Sequence, residues 1–474
     1  MGTSYGPELL VRLRGGRRRA QLEDRLRELV RDGTLAAGSQ MPSSRALAGD
    51  LGVSRRLVVD AYAQLLAEGY LISRPGAGTY VAAAGAAADA APAVSRSGAP
   101  QFDFFPGAPD LSAFPRSLWL SATREVLRTA PDDAFAYPDV RGAPTLRRAL
   151  SAYLRRVRGV AVEPDAIVVC AGATQGLALL GRALARQGIE AIDVEDPGLP
   201  PHRAVLAFAG LRVRGANVDA QGLDVSSLRS PVVLATPAHQ CPTGVVLSPR
   251  RRGELVRWAR DGGLVIEDDY DAEFRYDRAP LAALQGLAPD RVVYMGTVSK
   301  TLAPALRLGW LIVPPSLIDA VAEAKALDDL GCSTLEQLVL ARLLETAAYD
   351  RHLRKARRRN RARRDALIEA VAHELPDAHV SGVSAGLHAL VHLPREVGLR
   401  ALLAAAAERS LGVYPLNLHR IDPHGGVRAL VMGYANLSEP AIAEGVRRLA
   451  DVLERCEAGL QERAAELNGI VVDR

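Results

Sequence analysis

The chain has 474 residues, 48% apolar and 24% charged, an ordinary globular composition with enough material for two or three domains. Its first residues lack an apolar core of secretory length, and no uninterrupted run of about 18 apolar residues occurs, so neither a signal peptide nor a membrane span is expected. Cys170, Cys241, Cys332 and Cys456 are scattered and form no CxxC pair, which argues against a zinc site or disulfide framework and fits a reducing cytoplasm. His388 and His392 lie in a strand-like run, where four residues span about 13 Å, so no metal site is expected there.

The net charge is +5, and residues 1–81 carry most of it, with twelve arginines, no lysine and eight acids. A charge excess confined to this part points to a polyanionic partner. Leu22, Leu26, Leu29 and Val30 share one face of a first helix closed by Gly33. Ser43 or Ser44 caps a second helix, and Gly52 makes a tight turn. Ser54 caps a third helix with Val58, Ala61, Tyr62 and Leu65 turned inward. This is helix-turn-helix spacing. GYLISRPGAGTYV then reads as a hairpin, a wing, around Arg74, Pro75, Gly76 and Gly78. Ser54, Arg55 and Arg56 begin the helix that would enter a major groove, with Arg45 placed for a backbone phosphate and Arg74 for close approach to the backbone or minor groove.

Residues 82–100 are small, Pro-containing and aperiodic, and read as a linker that reaches roughly 60 Å when extended. Beyond it, buried strand-like runs (IVVCAG, VVLATP, LVIEDD, VVYMGT) alternate with helical stretches, which indicates an α/β domain with a mainly parallel sheet over residues 101–474. From about residue 333 the chain becomes helical and Arg-rich, then α+β, as a smaller C-terminal subdomain.

Only three lysines are present. Lys325 (AEAKALDDL) reads as an exposed helix position, and Lys355 (RHLRKARRRNRARR) as part of a solvated basic face. Lys300 follows a buried strand, where α/β proteins bind ligands. The strand GLVIEDDYD brings Glu267, Asp268 and Asp269 to its carboxyl end, followed by Tyr270. CAGATQG offers Gly172, Ala173, Thr174 and Gln175 at a strand-to-helix turn suited to phosphate. Thr297 and Arg307 flank the lysine. A reactive amine, a carboxylate for a ring nitrogen and a phosphate cup together match the needs of pyridoxal 5'-phosphate.

MPSSRALAGDLGVSRRLVVDAYAQLLAEGYLISRPGAGTYV resembles the GntR-type winged helix, which implies DNA contacts at Arg45, Ser54, Arg55, Arg56 and Gly76. GTVSKTLAPALRLG, EDDYDAEFRY, TPAHQCPTG (236–244) and GYANLSE (433–439) resemble the fold-type I aminotransferase-like domain of the MocR subfamily of bacterial regulators. The resemblance implies Lys300 as the Schiff-base lysine, Asp268 as pyridine partner, Tyr270 as phenolate partner, and Thr174, Thr297 and Arg307 on the phosphate. It also implies a head-to-tail homodimer, with Tyr137 as a donor to the neighbour's phosphate site. The expected fold is therefore α/β: an N-terminal winged helix-turn-helix plus a fold-type I aminotransferase-like domain.

Three departures stand out. Cys241 replaces the Asn of aminotransferases, leaving His239 or Gln240 to meet the cofactor. Leu199 follows EDPG where many relatives carry an aromatic residue. Arg428 is the nearest candidate for an effector carboxylate. The cofactor side is intact and the substrate side is not, which suits a regulator that senses pyridoxal phosphate or an amino compound on operator DNA. The alternative is a functional aminotransferase with an accessory DNA-binding domain.

Overall fold

The computed structural model describes residues 18–31, 34–74, 77–82 and 100–472, with side chains to residue 456. Gly33, Pro75, Gly76 and nearly all of the expected linker lie outside the described residues. The chain forms two compact units, one on either side of the segment 83–99.

In the first unit, helices Arg18–Arg31, Ser44–Leu51 and Arg55–Ala67 pack around Leu22, Leu26, Leu47, Val58, Ala61 and Leu65. Each local stop signal acts as its residue type dictates. Ser43 is the cap of the second helix, accepting from the Ala46 N–H, and Ser54 caps the third, accepting from Leu57. Gly52 ends the second helix at φ 62°, a left-handed conformation that costs glycine nothing. Leu71–Arg74 and Gly78–Val81 form the antiparallel wing. Arg27 grips Glu68 with two hydrogen bonds, of 2.7 and 2.8 Å, tying the first helix to the end of the third.

The second unit is built on an eight-stranded sheet. Its order is Ile167–Cys170, Gly309–Ile312, Val292–Thr297, Leu264–Asp268, Val232–Ala235, Ala191–Asp196, Arg212–Asp219 and Gly222–Leu223. The five strands from Val292–Thr297 to Arg212–Asp219 pair in parallel, while Gly309–Ile312 is antiparallel to both of its neighbours. Continuous apolar runs are required because both faces are covered. Ile167 and Val169 join one core while Val168 and Cys170 join the opposite one, and Tyr294 and Met295 divide in the same way. A second, antiparallel sheet of His379–Ser381, His388–Val397 and Val427–Gly433 forms the smaller layer.

Two expectations need correcting. The helix Thr334–Glu345 and the start of the helix Ala348–Glu374, as far as Leu353, pack into the large-sheet core; only from Ala356 does that long helix join the C-terminal core. The subdomain junction therefore lies inside a helix rather than near residue 333. The small layer also recruits the other end of the unit, since Phe102–Asp103 pairs with Leu411–Gly412.

Lys325 is not an exposed helix residue. It is 0% exposed, and its Nζ donates to Asp329 at 2.8 Å, Cys332 Sγ at 3.3 Å and Gln175 Oε1 at 3.5 Å. Its helix, Pro315–Asp329, packs against Ala173–Arg186, so a polar side chain on the inner face must find partners there. Replacing Lys325 by Ala strands these partners. Denaturant unfolding should show a loss of about 3 kcal/mol, the low end for breaking a buried pair because Asp329 keeps some solvent contact. An unchanged midpoint would refute that.

A candidate cofactor site at Lys300 and a candidate DNA interface

Ligands of open α/β sheets bind beyond the carboxyl ends of the parallel strands. Here one strand ends on Asp268, its neighbour ends on Thr297, and Met295 is in register with Asp268. Lys300 lies three residues past Thr297, and its Nζ donates to the Gly107 carbonyl at 2.7 Å. Gly107 has φ 77°, and a Cβ there would stand 3.1 Å from Nζ, so the approach calls for glycine. Burial lowers the amine's pKa, against the opposing pull of Cys241, Asp271 and Asp268. That makes the neutral, nucleophilic form easier to reach than for a solvated lysine.

The three consecutive acids have different surroundings. Glu267 accepts from the N–H groups of Leu284 (2.9 Å) and Gln285 (3.0 Å). Asp269 Oδ2 accepts from Arg158 Nε at 2.6 Å and from the Tyr294 hydroxyl at 2.5 Å. Asp268 is 3% exposed and has neither, and its Oδ1 has no hydrogen-bond partner among the described residues. Burial, then the charges of Asp269 and Asp271, push its carboxyl up to about 8. His202 Nδ1 stands 3.7 Å from its Oδ2, but burial and the Lys300 charge hold that imidazole down to about 4, so it brings no positive charge.

Beside this acid, the Tyr270 hydroxyl lies 3.1 Å from His239 Nδ1, and Asp271 Oδ2 lies 3.0 Å from the same nitrogen. Gln240 is fully occupied elsewhere. Its amide nitrogen donates to Glu195, the Pro197 carbonyl and the Cys241 carbonyl, and its oxygen accepts from Thr243. Of the two residues left open by the sequence, His239 faces Tyr270 and Gln240 holds the loop.

The helix Ala173–Arg186 begins after Gly172, at φ 84°, without a side-chain cap. Ala173 and Thr174 occupy its first turn, where open N–H groups attract anions. The Arg307 guanidinium packs on Gly172, 3.0 Å from where a Cβ would be, and donates to the Ala171 carbonyl. Thr297 Oγ1 accepts from the Ser299 N–H at 3.1 Å and bonds the Ser299 hydroxyl at 2.9 Å.

Arg428 does not join this cluster. Its side chain is 79% exposed and held by Glu396 at 2.6 Å, because in the strand Val427–Gly433 it points away from the buried positions on either side. Arg203 is also committed, to the carbonyls of His419 and Arg420. Tyr137 is 89% exposed and touches none of the cluster. Sequence reasoning missed Gly107, Ser299, His202 and Arg158. The SK pair adjoining Thr297 was a readable signal for Ser299, and His202 follows the LPP that replaces an aromatic position. Nothing local marks Gly107 or Arg158, which are distant in sequence from the groups they meet.

In the winged-helix unit, Arg55 Nε reaches Ser44 Oγ at 3.4 Å, bringing the starts of the second and third helices together. Arg45 is exposed beside Ser44 with no partner among the described residues, and Arg56 is 3.9 Å from Asp60 and almost fully exposed. Arg74 stacks on the Tyr80 ring at 4.5 Å. Arg45 follows the start of the second helix, and Ser54, Arg55 and Arg56 begin the third.

Comparison with known proteins agrees with both units. Residues 110–447 match the family Aminotransferase class I and II, and residues 18–81 match Bacterial regulatory proteins, gntR family. The chain is 32% identical to the probable rhizopine catabolism regulatory protein MocR of Rhizobium meliloti, over 90% of this chain and 92% of that protein. It is 33% identical to the pyridoxine biosynthesis transcriptional regulator PdxR of Corynebacterium glutamicum, over 91% and 95%. The multiple substrate aminotransferase of Thermococcus profundus superposes with a TM-score of 0.69 at 26% identity, covering 75% of this chain and 92% of that one. A GntR-type helix-turn-helix domain and a class I and II aminotransferase domain thus share one polypeptide. The chain belongs to the MocR subfamily of GntR-type transcriptional regulators.

The aminotransferase class implies pyridoxal phosphate, and the residues fit it. An unpartnered buried carboxylate suits a ring N–H, an uncapped helix start with Arg307 suits a phosphate, and a lysine of lowered pKa suits an aldehyde. The Asp268 carboxyl makes a testable contribution. Its folded pKa of about 8 exceeds the unfolded value of about 3.9, so the folded chain holds the proton more tightly. The cofactor-free protein should therefore lose stability as pH rises between those values. Asp268→Asn should flatten that dependence while weakening pyridoxal phosphate binding by roughly tenfold or more, the loss of one charged hydrogen bond. Melting curves across this pH range and cofactor titration would test both halves; a variant with wild-type affinity would dismiss Asp268 as the ring partner.

Proposed function

We propose that this regulator senses pyridoxal phosphate, or a small amine competing for it, at Lys300 and reports the result to a winged helix on double-stranded operator DNA. The observation that carries this reading is the asymmetry of the site. Groups suited to the cofactor lie close to Lys300, while Arg428, the arginine expected to fix a substrate carboxylate, is turned to solvent and held by Glu396. A sensor needs the first set, and a rapid aminotransferase needs both. The regulator PdxR, whose name refers to pyridoxine biosynthesis, is a relative consistent with this reading.

When bound, pyridoxal phosphate supplies an electrophilic aldehyde on an electron-withdrawing ring. Asp268 would hold the ring nitrogen, Tyr270 the phenolic oxygen with His239 behind it, and Ala173, Thr174, Thr297 and Arg307 the phosphate. Lys300 would be the residue that takes the aldehyde, giving up the Gly107 carbonyl to which its Nζ donates here, and a competing amine would return it there.

The exposed Tyr137 is available to a second copy of the chain in a head-to-tail homodimer, which would present two winged helices to two half-sites. Arg45, Ser54, Arg55, Arg56, Arg74 and Gly76 would contact DNA. No helix among the described residues is long and apolar enough to cross a membrane, and the buried free thiols suit a reducing cytoplasm.

Two measurements test the proposal. The protein with pyridoxal phosphate should show a visible absorption band that borohydride fixes to a Lys300 peptide and that Lys300→Ala abolishes; a band indifferent to Lys300 would end the reading. Arg55→Gln should weaken operator binding and, for a phosphate contact, lower the salt slope by about 0.9. Relaxed specificity at one base would instead assign Arg55 to base readout, and unchanged binding would remove it from the interface.

A further inference from the structure

The residues of the basic run from Arg351 to Arg364 have different fates along the helix Ala348–Glu374. Arg357 donates to the Glu273 carbonyl and Arg363 pairs with Asp110 at 2.9 Å. Arg351, Lys355 and Arg359 succeed one another at four-residue intervals and so share a face, with His352 alongside. They line a cavity of about 610 Å³ opposite Arg116 and Ser117, the first residues of the helix Arg116–Thr129.

Several features of this cavity suit an anion. Its walls carry four cations and no carboxylate. The adjoining acid, Asp110, is held by Arg363 and lies 3.7 Å from Arg359 Nε. That Nε is buried with no hydrogen-bond partner among the described residues. Lys355 has no hydrogen bond or ion pair there either, and Arg116 and Arg351 each spend one N–H on a nearby carbonyl, leaving other donors of the guanidinium fork. The helix Arg116–Thr129 starts at Pro115 without a side-chain cap, so its first-turn N–H groups lack side-chain acceptors. Arg116, Arg351 and Lys355 have no acidic partner among the described residues, and like charges facing one cavity repel one another until an anion sits among them.

We infer that this cavity is a second anion site, which takes the phosphate group of a small phosphorylated molecule. A single carboxylate is satisfied by one arginine fork, whereas four cations and a helix start call for a multiply charged oxyanion. The volume falls within the roughly 300–1,000 Å³ of small-molecule sites. Concavity favours a compact ligand over a duplex, whose phosphates lie on a convex rod. The site stands apart from the helix start at Ala173, yet His352 and Arg359 also line a small cavity with Lys300, and a His352 ring nitrogen bonds the Thr301 carbonyl at 2.8 Å. Occupancy is thus positioned to be felt at Lys300, although the site itself does not depend on the cofactor reading.

The test is calorimetric titration of the full-length protein with pyrophosphate, for the wild type, Arg307→Gln, Lys355→Gln and Arg116→Gln/Lys355→Gln. Lys355 and Arg116 are surface residues, and unchanged melting of their variants would certify folding. Binding should survive Arg307→Gln, which disables the other cradle. It should weaken by roughly tenfold for each cation removed here, as expected for a charged hydrogen bond. No binding by the wild type, or binding that Arg307→Gln abolishes and Lys355→Gln spares, overturns the inference. Loss of operator affinity and salt slope in Lys355→Gln without any pyrophosphate binding would also overturn it, by assigning these cations to DNA.

Discussion

Arg158 and Asp269 meet at 2.6 Å in a place almost closed to water, with the Tyr294 hydroxyl on the same carboxylate oxygen. Charges so deeply buried persist only when paired. This pairing neutralises one of two adjacent acids at the end of a core strand and leaves the other, Asp268, without a cation. Without Arg158 both buried acids would lack a cation, and only the Tyr294 hydroxyl would distinguish Asp269 from Asp268. The electrostatic character of the Lys300 chamber depends on that division.

The same chamber explains how a domain of the aminotransferase class can serve a regulator. Its cofactor-facing groups converge on the carboxyl ends of neighbouring parallel strands, where register places Met295 opposite Asp268 and brings Thr297 and Lys300 close by. The substrate-facing groups depend on the smaller layer, whose strand Val427–Gly433 turns Arg428 outward. Ile266 and Met295, beside those strand ends, belong to a large-sheet core, and Val427, beside Arg428, to the C-terminal core.

The long helix Ala348–Glu374 connects the C-terminal core to the core on the other face of the large sheet. Its first turns belong to the large-sheet core and its later turns to the C-terminal core, and between them it lays Lys355 and Arg359 along a cavity and His352 against the Thr301 carbonyl. One helix thus touches both layers and, through His352, the residue next to Lys300.

Much of this was legible in the order of residues. Apolar runs with turn signals between them identified a sheet covered on both faces, and Ser54 and Gly52 identified the helix-turn-helix, because capping and left-handed backbone are local properties of residue types. Lys300 stands out in the sequence by its place after a buried strand. Other features depended on distant segments. Glu267, Asp268 and Asp269 are equivalent in sequence; Arg158, 111 positions before Asp269, and the N–H groups of Leu284 and Gln285 distinguish them. Lys325 resembled a solvated residue until a neighbouring helix covered it, and Arg428 resembled a ligand until strand alternation turned it outward. Local chemistry is written in neighbouring residues, whereas the partner of a buried charge is chosen by whichever segment the fold brings beside it.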